Sequence, residues 1–338
     1  MPPDRLLAAR VFREEASREG FTRCGVASAE GPPPRFERFE RWIDAGRHAG
    51  MRYLEETRKV RANPEALLPG ARSVVCLAAP HPRNAWVAAD GARFARYARG
   101  ADYHGTLRQR ALRVAGRARE ILGGDFAYRV CVDSTPIAER AYAAAAGLGW
   151  IGKNGCLIDG EQGSYLLLAE IVTDLDLPAD EPVAERCGSC VRCLEACPTG
   201  AFVEPGLLDA ARCLAYWTIE HRGPIPDPWK QALGDRVFGC DACQEACPWN
   251  APLDLETGAE PPAPPRSEIL AMGKGGWRSR FGKTAVNRAK RRGLQRNAAA
   301  SAGAQRDRAC LPALQSATRV QEPGLADAAA WARSQLDL

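Results

Sequence analysis

Eight cysteines carry the most specific chemistry in the sequence. They are Cys187, Cys190, Cys193 and Cys197, the last followed by Pro198, then a lone Cys213, then Cys240, Cys243 and Cys247, the last followed by Pro248. The first block is a C-x2-C-x2-C-x3-C-P run. In that run three thiolates wrap three corners of one 4Fe–4S cube and the fourth reaches a neighbouring cube. Eight thiolates complete two cubes. The spacing assigns Cys187, Cys190, Cys193 and Cys247 to one cluster, and Cys197, Cys213, Cys240 and Cys243 to the other. Zinc sites are built from two ligand pairs instead. Disulfides belong to short secreted chains. The cysteines therefore point to electron transfer.

Other residues could supply proton chemistry and substrate contacts. Asp133 follows a strand-like run, Tyr128 to Val132, and precedes Thr135-Pro136, which reads as a helix cap and first helical position. Asp133 then sits at the C-terminal end of a strand, where open sheets gather their sites. It is either a second cap or a partly buried acid of raised pKa able to give a proton. The run Arg96 to His104 is polar, aromatic and hinged at Gly100. A lone His such as His104 is more often structural than catalytic. No H-x-x-x-H pair occurs, so no second metal site is expected.

Two nucleotide motifs are decoys. Gly147, Gly149 and Gly152 match G-x-G-x-x-G, but they follow a helix and lead into a turn, the reverse of a dinucleotide fingerprint. Asn154 stands where a phosphate loop needs Ser or Thr. What these glycines suggest is backbone brought close to something large and flat, with Lys153 and Asn154 at its edge. Between Trp277 and Arg296, the cations Arg288, Arg291 and Arg292 have the spacing of one helix face. Trp277 and Phe281 lie among the cations, as in surfaces that neutralise phosphates and stack on unpaired bases.

The elements that must position these groups can be read in outline. The chain has 338 residues, 46% hydrophobic and 26% charged, with a net charge of +5. No run approaches a membrane span, and the N-terminus lacks the apolar region of an export signal. A cytoplasmic protein is expected. Between Ile269 and Arg306 there are ten Lys or Arg and no Asp or Glu, which suggests a polyanionic partner. Cys24, Cys76, Cys131, Cys156 and Cys310 are scattered and read as small buried residues. Helical periodicity appears over residues 4–19, again around Phe36, Phe39, Trp42 and Ile43, and over 106–122. Arg72 to Ala79 and Tyr128 to Val132 read as strands. Leu157-Ile158 and Tyr165 to Val172 read as a hairpin across Gly160–Gly163. The order is not a clean alternation, so the expected class is α+β. The expected domains are a core at 1–180, a two-cluster module at 181–255 and a basic helical region at 256–338. The Pro-rich stretch 251–266 reads as a linker or an extended loop.

Taken together these motifs resemble epoxyqueuosine reductase. The resemblance rests on Val132-Asp133 through Glu139-Arg140, Gly147 through Asn154, the eight cysteines, Cys213 through Glu220, and Phe281-Gly-Lys-Thr-Ala with Lys290 through Asn297. It implies a cobalamin-dependent iron–sulfur enzyme that reduces the epoxide of epoxyqueuosine at the tRNA wobble position, the last step of queuosine synthesis. It further implies a nitroreductase-like core, a bacterial dicluster ferredoxin-like module and a small HEAT-like helical region. Asp133 would be the proton donor. Arg58, Asp133, Gly152, Lys153, Asn154, Leu157, Leu168 and Glu220 would line the cobalamin. Arg280, Lys283, Arg288, Lys290, Arg291 and Arg292 would hold the anticodon stem-loop. A monomer served by an external low-potential electron donor is expected.

Two other classes share some of these features. A cobalamin-dependent reductive dehalogenase of small organohalides has a similar core, but the missing export signal and the basic tail argue against it. A pure electron-transfer module would need neither Asp133 nor the large N-terminal core.

Overall fold

The computed structural model describes residues 4–251 and 262–336. At its centre lies a four-stranded, fully antiparallel sheet. Its strands are β1 (Arg23–Ser28), β2 (Ser73–Pro80), β3 (Tyr128–Cys131) and β6 (Leu166–Thr173), in the order β1-β2-β6-β3. A second pair, β4 (Trp150–Ile151) and β5 (Leu157–Ile158), forms a small ribbon beside it.

Both faces of the main sheet are covered, so β2 is buried along nearly its whole length and carries no polar alternation. On one face Val75, Leu77, Val130 and Ile171 pack against α1 (Arg5–Arg18) and α3 (Tyr103–Leu122), through Phe12, Leu107 and Val114. Each such side chain contributes about 1.5–3 kcal/mol on burial. Asp4 caps α1 by accepting from the Leu7 amide, and Asp102 caps α3 by accepting from the His104 amide. On the other face Val74, Cys76, Cys131 and Val172 pack on α4 (Glu139–Ala145) through Tyr142 and Ala143. The expected helix over Phe36, Phe39 and Ile43 is α2 (Phe36–Asp44), with Phe36 and Ile43 turned inward.

Two local expectations are corrected. No helix begins at Thr135-Pro136: the chain turns through Asp133–Ala138, and α4 starts at Glu139 with no side-chain cap. The turn is tied forward, because the Glu139 carboxylate accepts from the Asp133 amide and the Ile137 amide bonds to the Thr135 carbonyl. Nor is there a hairpin between Leu157-Ile158 and residues 165–172. The turn at Gly160–Gly163 is closed by the Asp159 and Gly163 backbones. Beyond it β6 has β2 on one edge and β3 on the other, so β5 pairs back on β4.

The glycines at 147, 149 and 152 do bring backbone close, but to their own chain. A Cβ on Gly149 would lie 2.2 Å from the Ile158 carbonyl oxygen, and one on Gly152 would lie 2.4 Å from the Ile158 side chain. Gly149→Ala is therefore expected to destabilise the fold by about 2–3 kcal/mol, measured as a shift of the urea midpoint with an unchanged slope.

The second half of the cysteine module shares a core with the C-terminal region. Leu214, Trp217, Leu233, Val237 and Phe238 share one core with Phe281, Val286, Leu294, Ala298 and Leu325. The C-terminal helices α5 (Lys290–Ala304) and α6 (Pro323–Leu336) are thus packed onto the second half of the cysteine module. Phe281 is 1% exposed in this core and cannot stack on a base, contrary to expectation. Arg288 does not share a helix face with Arg291 and Arg292, because Lys290 adopts a left-handed φ of 61° between them. Most of the Pro-rich stretch expected as a linker lies outside the described residues. No helix among the described residues is long and apolar enough to cross a membrane.

Candidate functional site

The structure brings Cys187, Cys190, Cys193 and Cys247 around one cavity of about 460 Å³, with Asn154 and Trp249 also in its wall. A single zinc ion would draw its thiolates to about 2.3 Å from one point. Among the described residues no three His, Cys, Asp or Glu side chains converge in that way. The space suits a polynuclear group held at its corners. One more feature fits a cluster: Asn154, in the cavity wall, is 4% exposed, and its amide nitrogen has no hydrogen-bond partner. Such a donor is what cluster sulfides accept from. Lys153 donates to the Gly188 and Cys190 carbonyls, at 2.6 and 3.1 Å, and so pins the cysteine loop to the sheet core.

The remaining four cysteines form a second group. Burial pushes the Cys213 thiol up, and Cys240 and Cys197 add to the rise. Cys240 is raised by burial and by Cys197, and Cys243 by burial and by Cys156, Cys240 and Cys213. Thiols as reluctant to ionise as Cys213, Cys240 and Cys243 would be held as thiolates by a bound metal. Cys193 of the first group also bears on Cys243, so the two groups are neighbours. Cys156, one of the scattered cysteines, lies half-buried beside both.

Asp133 lies at the end of β3 with a positive φ of 45°, a strained setting for a non-glycine residue. Its Oδ2 accepts from the Tyr103 hydroxyl at 3.0 Å and is 2.6 Å from His104 Nε2. The other ring nitrogen of His104 is 2.6 Å from Asp102 Oδ1. His104, read from sequence as structural, is thus held between two carboxylates. Hydrogen bonding to Asp133, against burial, lifts its pKa to about 9. Burial alone would raise the Asp133 carboxyl, but His104 and Tyr103 outweigh it and hold the pKa below the ordinary value. This corrects the expected raised pKa. At neutral pH the proton sits on His104, and Asp133 is a carboxylate. Burial, with the Asp133 charge next, raises Glu139 to about 7.

The expected cofactor-lining residues fall in several places. Gly152, Lys153 and Asn154 lie at or beside the first cysteine cavity. Leu157 is buried in the sheet core, while Leu168 is half-buried on β6. Arg58 pairs with Asp44 at 2.5 Å and with Glu40 at 3.4 Å. Glu220 accepts from Arg288 Nε and Nη2, at 3.0 and 2.6 Å, and the Arg288 guanidinium lies over the Tyr53 ring. Arg140, next to Glu139, donates to the Gly155 carbonyl. That contact ties the loop of the first cavity to the turn that carries Asp133.

Among the expected tRNA-binding residues, Arg280 is engaged by Glu268 and the Pro262 carbonyl. Arg291 and Arg292 both donate to Gln295 Oε1. Lys283 and Lys290 are exposed, without an acidic partner among the described residues. Arg296 and Asn297, part of the same basic stretch, point inward. Arg296 donates to the Trp217, His221 and Gly223 carbonyls, and Asn297 to those of Thr218 and Val237. They clamp the π-helical turn Tyr216–Glu220 that follows Cys213.

Two cysteine tetrads and an acid–histidine pair at a strand end define an iron–sulfur oxidoreductase with an α+β core. Comparison with known proteins agrees. A family model described as 4Fe-4S double cluster binding domain matches residues 186–250, and one described as epoxyqueuosine reductase QueG matches residues 61–134. The chain is 44% identical over 255 residues to an epoxyqueuosine reductase of Xanthomonas campestris, covering 73% of this chain and 71% of that one. It is 35% identical to that of Cellulophaga algicola, over 85% and 95% of the two chains. It superimposes with a TM-score of 0.89, at 30% identity and over 97% of its length, on 89% of an epoxyqueuosine reductase crystallised with an epoxyqueuosine-modified tRNA-Tyr stem loop. The chain belongs to the epoxyqueuosine reductase family, iron–sulfur oxidoreductases that convert epoxyqueuosine in tRNA to queuosine.

Proposed function

We propose that this chain reduces the epoxide of epoxyqueuosine in tRNA with Asp133 and His104 as its proton-donating pair. The observation that carries the reading is the 2.6 Å contact between His104 Nε2 and Asp133 Oδ2 at the end of β3, joined through Arg140 and Gly155 to the wall of the first cysteine cavity. The overall change takes up two electrons and two protons: two C–O bonds break, a C=C bond forms and water leaves. Electrons enter from an external low-potential one-electron donor through clusters on Cys187, Cys190, Cys193, Cys247 and on Cys197, Cys213, Cys240, Cys243.

Cobalamin is the further cofactor of this reading, supplying a low-valent cobalt toward the epoxide carbon. Residues beside the acid suit a large, partly apolar group. Leu168 leaves apolar surface half exposed on β6, Tyr53 is 40% exposed, and Gly152 to Asn154 border the cysteine cavity. Leu157 and Glu220 would act from behind, as packing and as the partner that fixes Arg288. Arg58 would act through its charge at the rim. His104 would hold the proton, Asp133 would pass it to the departing oxygen, and Tyr103 would orient the Asp133 carboxylate.

The sheet core is read as nitroreductase-like and the last helices as a HEAT-like pair, in a cytoplasmic monomer. The deciding experiment is anaerobic incubation with epoxyqueuosine-containing tRNA, cobalamin and a low-potential reductant, followed by nucleoside mass analysis. Failure to form queuosine removes the reading.

The exposed cations make a separate test. Of the expected set, Lys283 and Lys290 are exposed without an acidic partner among the described residues. Replacing both lysines by Ala is expected to flatten the dependence of log K on log salt by about one slope unit per lost phosphate contact. An unchanged slope in tRNA titrations would mean that this face is only solvated.

A further inference from the structure

The run Arg96 to His104 holds a carboxyl that the reading above does not use. Asp102 caps α3, and its Oδ1 accepts from the His104 amide at 3.1 Å. The same oxygen lies 2.6 Å from His104 Nδ1, while His104 Nε2 lies 2.6 Å from Asp133 Oδ2. A cap needs only the first of these contacts, and Ser, Thr or Asn would make it as well. What only a carboxylate adds is a charged acceptor for the ring. An ionised carboxylate accepts and does not donate. With one on each side, both ring nitrogens of His104 carry a proton, and the ring is an imidazolium by geometry alone.

The direction of the ring depends on the same contact. The His104 side chain is 35% exposed, so without a partner on Nδ1 the imidazole would be free to turn over and present a carbon to Asp133. Tyr103 stacks on the ring with centroids 4.2 Å apart, which holds its plane but not the order of its nitrogens. Asp102 is itself fixed. Its amide donates to the Lys283 carbonyl at 3.0 Å, two residues after Phe281, which is buried in the C-terminal core. The segment whose exposed Lys283 is expected to meet RNA is thus bonded to the residue that holds His104.

We propose that Asp102 is a positioning residue of the reductase site, locking His104 with Nε2 toward Asp133, so that the proton-donating pair is the working end of a chain Asp102–His104–Asp133. This rests on the reductase reading above. When the His104 proton leaves through Asp133, the Nδ1 proton stays on the ring and Asp102 stays a carboxylate. The ring therefore keeps the same nitrogen toward Asp133, whose side chain is 53% exposed and lets the next proton in from solvent.

The charges around the trio agree. On His104 the Asp133 contact acts most strongly, burial opposes it, and Asp102 adds to the rise to about 9. From other elements, Arg288 faces Asp133 and acts to lower it, and Glu139 faces Asp133 and is raised by it. Tyr53 and Tyr97 face Asp133 as neutral phenols.

The test uses Asp102→Asn and Asp102→Ser, which both keep a capping side chain, each checked for full iron content and wild-type circular dichroism. The chain has four histidines, so the His104 ring resonances are assigned by their loss in His104→Gln. In the cluster-loaded protein with no further cofactor added, the His104 midpoint is expected to fall from about 9 by about one unit in both variants. The kcat is expected to fall about tenfold at pH 8.5 and about threefold at pH 6, with KM for tRNA unchanged. Stability separates this from a lost cap. A raised histidine stabilises fully below pH 6.5, and the contribution is lost as pH climbs through about 9. Both variants should therefore melt below the wild type at pH 6 and together with it above about pH 9, whereas a lost cap would lower the melting temperature at both. An unchanged His104 midpoint, or an alkaline limb of kcat that stays where the wild type has it, overturns the proposal and leaves the reductase reading intact. A wild type that forms no queuosine removes the reading and the role within it, whatever the midpoint, so the two failures are told apart.

Discussion

Asp133→Asn is expected to lower turnover about a thousandfold, within the usual range for removal of a positioned acid, while iron content and tRNA affinity stay at wild-type levels. The geometry separates these readouts. Asn keeps an oxygen that accepts from Tyr103 and His104, which now lie 3.0 and 2.6 Å from Oδ2, so the turn at the end of β3 keeps its hydrogen bonds. What it cannot do is take the His104 proton and hand it on. The eight cysteines and the exposed lysines lie on other elements and are unaffected. The wild-type pH profile carries a second signature. His104 is raised from 6.5 to about 9, so its proton is held at neutral pH and donation declines as pH rises through about 9. The sign for stability is the same. The His104 contribution is fully present below pH 6.5 and is lost as pH climbs to about 9. Asp133→Asn should therefore abolish the alkaline limb of single-turnover rate against pH and make thermal stability flatter between pH 7 and 9. A variant that retains activity, or keeps the limb, takes Asp133 out of the proton path.

Much of this site was legible in the sequence because its chemistry follows local spacing. The cysteine runs fix their ligand type within a dozen residues. Asp133 was placed at a strand end by the alternation before it, and β3 does end at Cys131. The rest depends on contacts that spacing does not encode. His104 lies 29 residues before Asp133 and is brought to it by α3 packing along the same sheet face; no pair motif marks that meeting. The basic stretch misled in another way. Composition shows that Arg288, Arg291, Arg292 and Arg296 are cationic, but whether a guanidinium faces solvent or a carbonyl is decided by the fold. Arg296, 2% exposed, spends its donors on the turn after Cys213. The glycines at 147–152 signalled close approach of backbone, and the structure shows that approach to Glu181 and Ile158 of the same chain.

The cysteine assignment makes the other large prediction, because it crosses the blocks. Cys247→Ser is expected to strip the cluster of Cys187, Cys190 and Cys193 and to leave the other, so that iron falls from about eight to about four atoms per chain. Cys197→Ser, only four residues from Cys193, is expected to strip the distant cluster instead. The backbone explains the crossing. Cys247 is extended, with φ −75° and ψ 122°, immediately before the short turn Pro248–Asn250. That conformation carries its thiol out of the helix Ala242–Glu245 and into the cavity of the first block. The mirror residue Cys197 also follows a one-turn helix, Arg192–Glu195, and bears on Cys213 and Cys240. A ligand set drawn from one block would give the opposite result, with Cys197→Ser losing the cluster of its own neighbours; electron paramagnetic resonance of the reduced variants distinguishes the two. Both variants should lose queuosine formation, since each breaks the electron path. Their stabilities should differ. The second cluster sits in the segment whose Leu214, Trp217 and Phe238 share a core with α5 and α6, and metal binding there is coupled to folding. Cys197→Ser should therefore expose the C-terminal helices to limited proteolysis and weaken tRNA binding, whereas Cys247→Ser should leave both nearly unchanged.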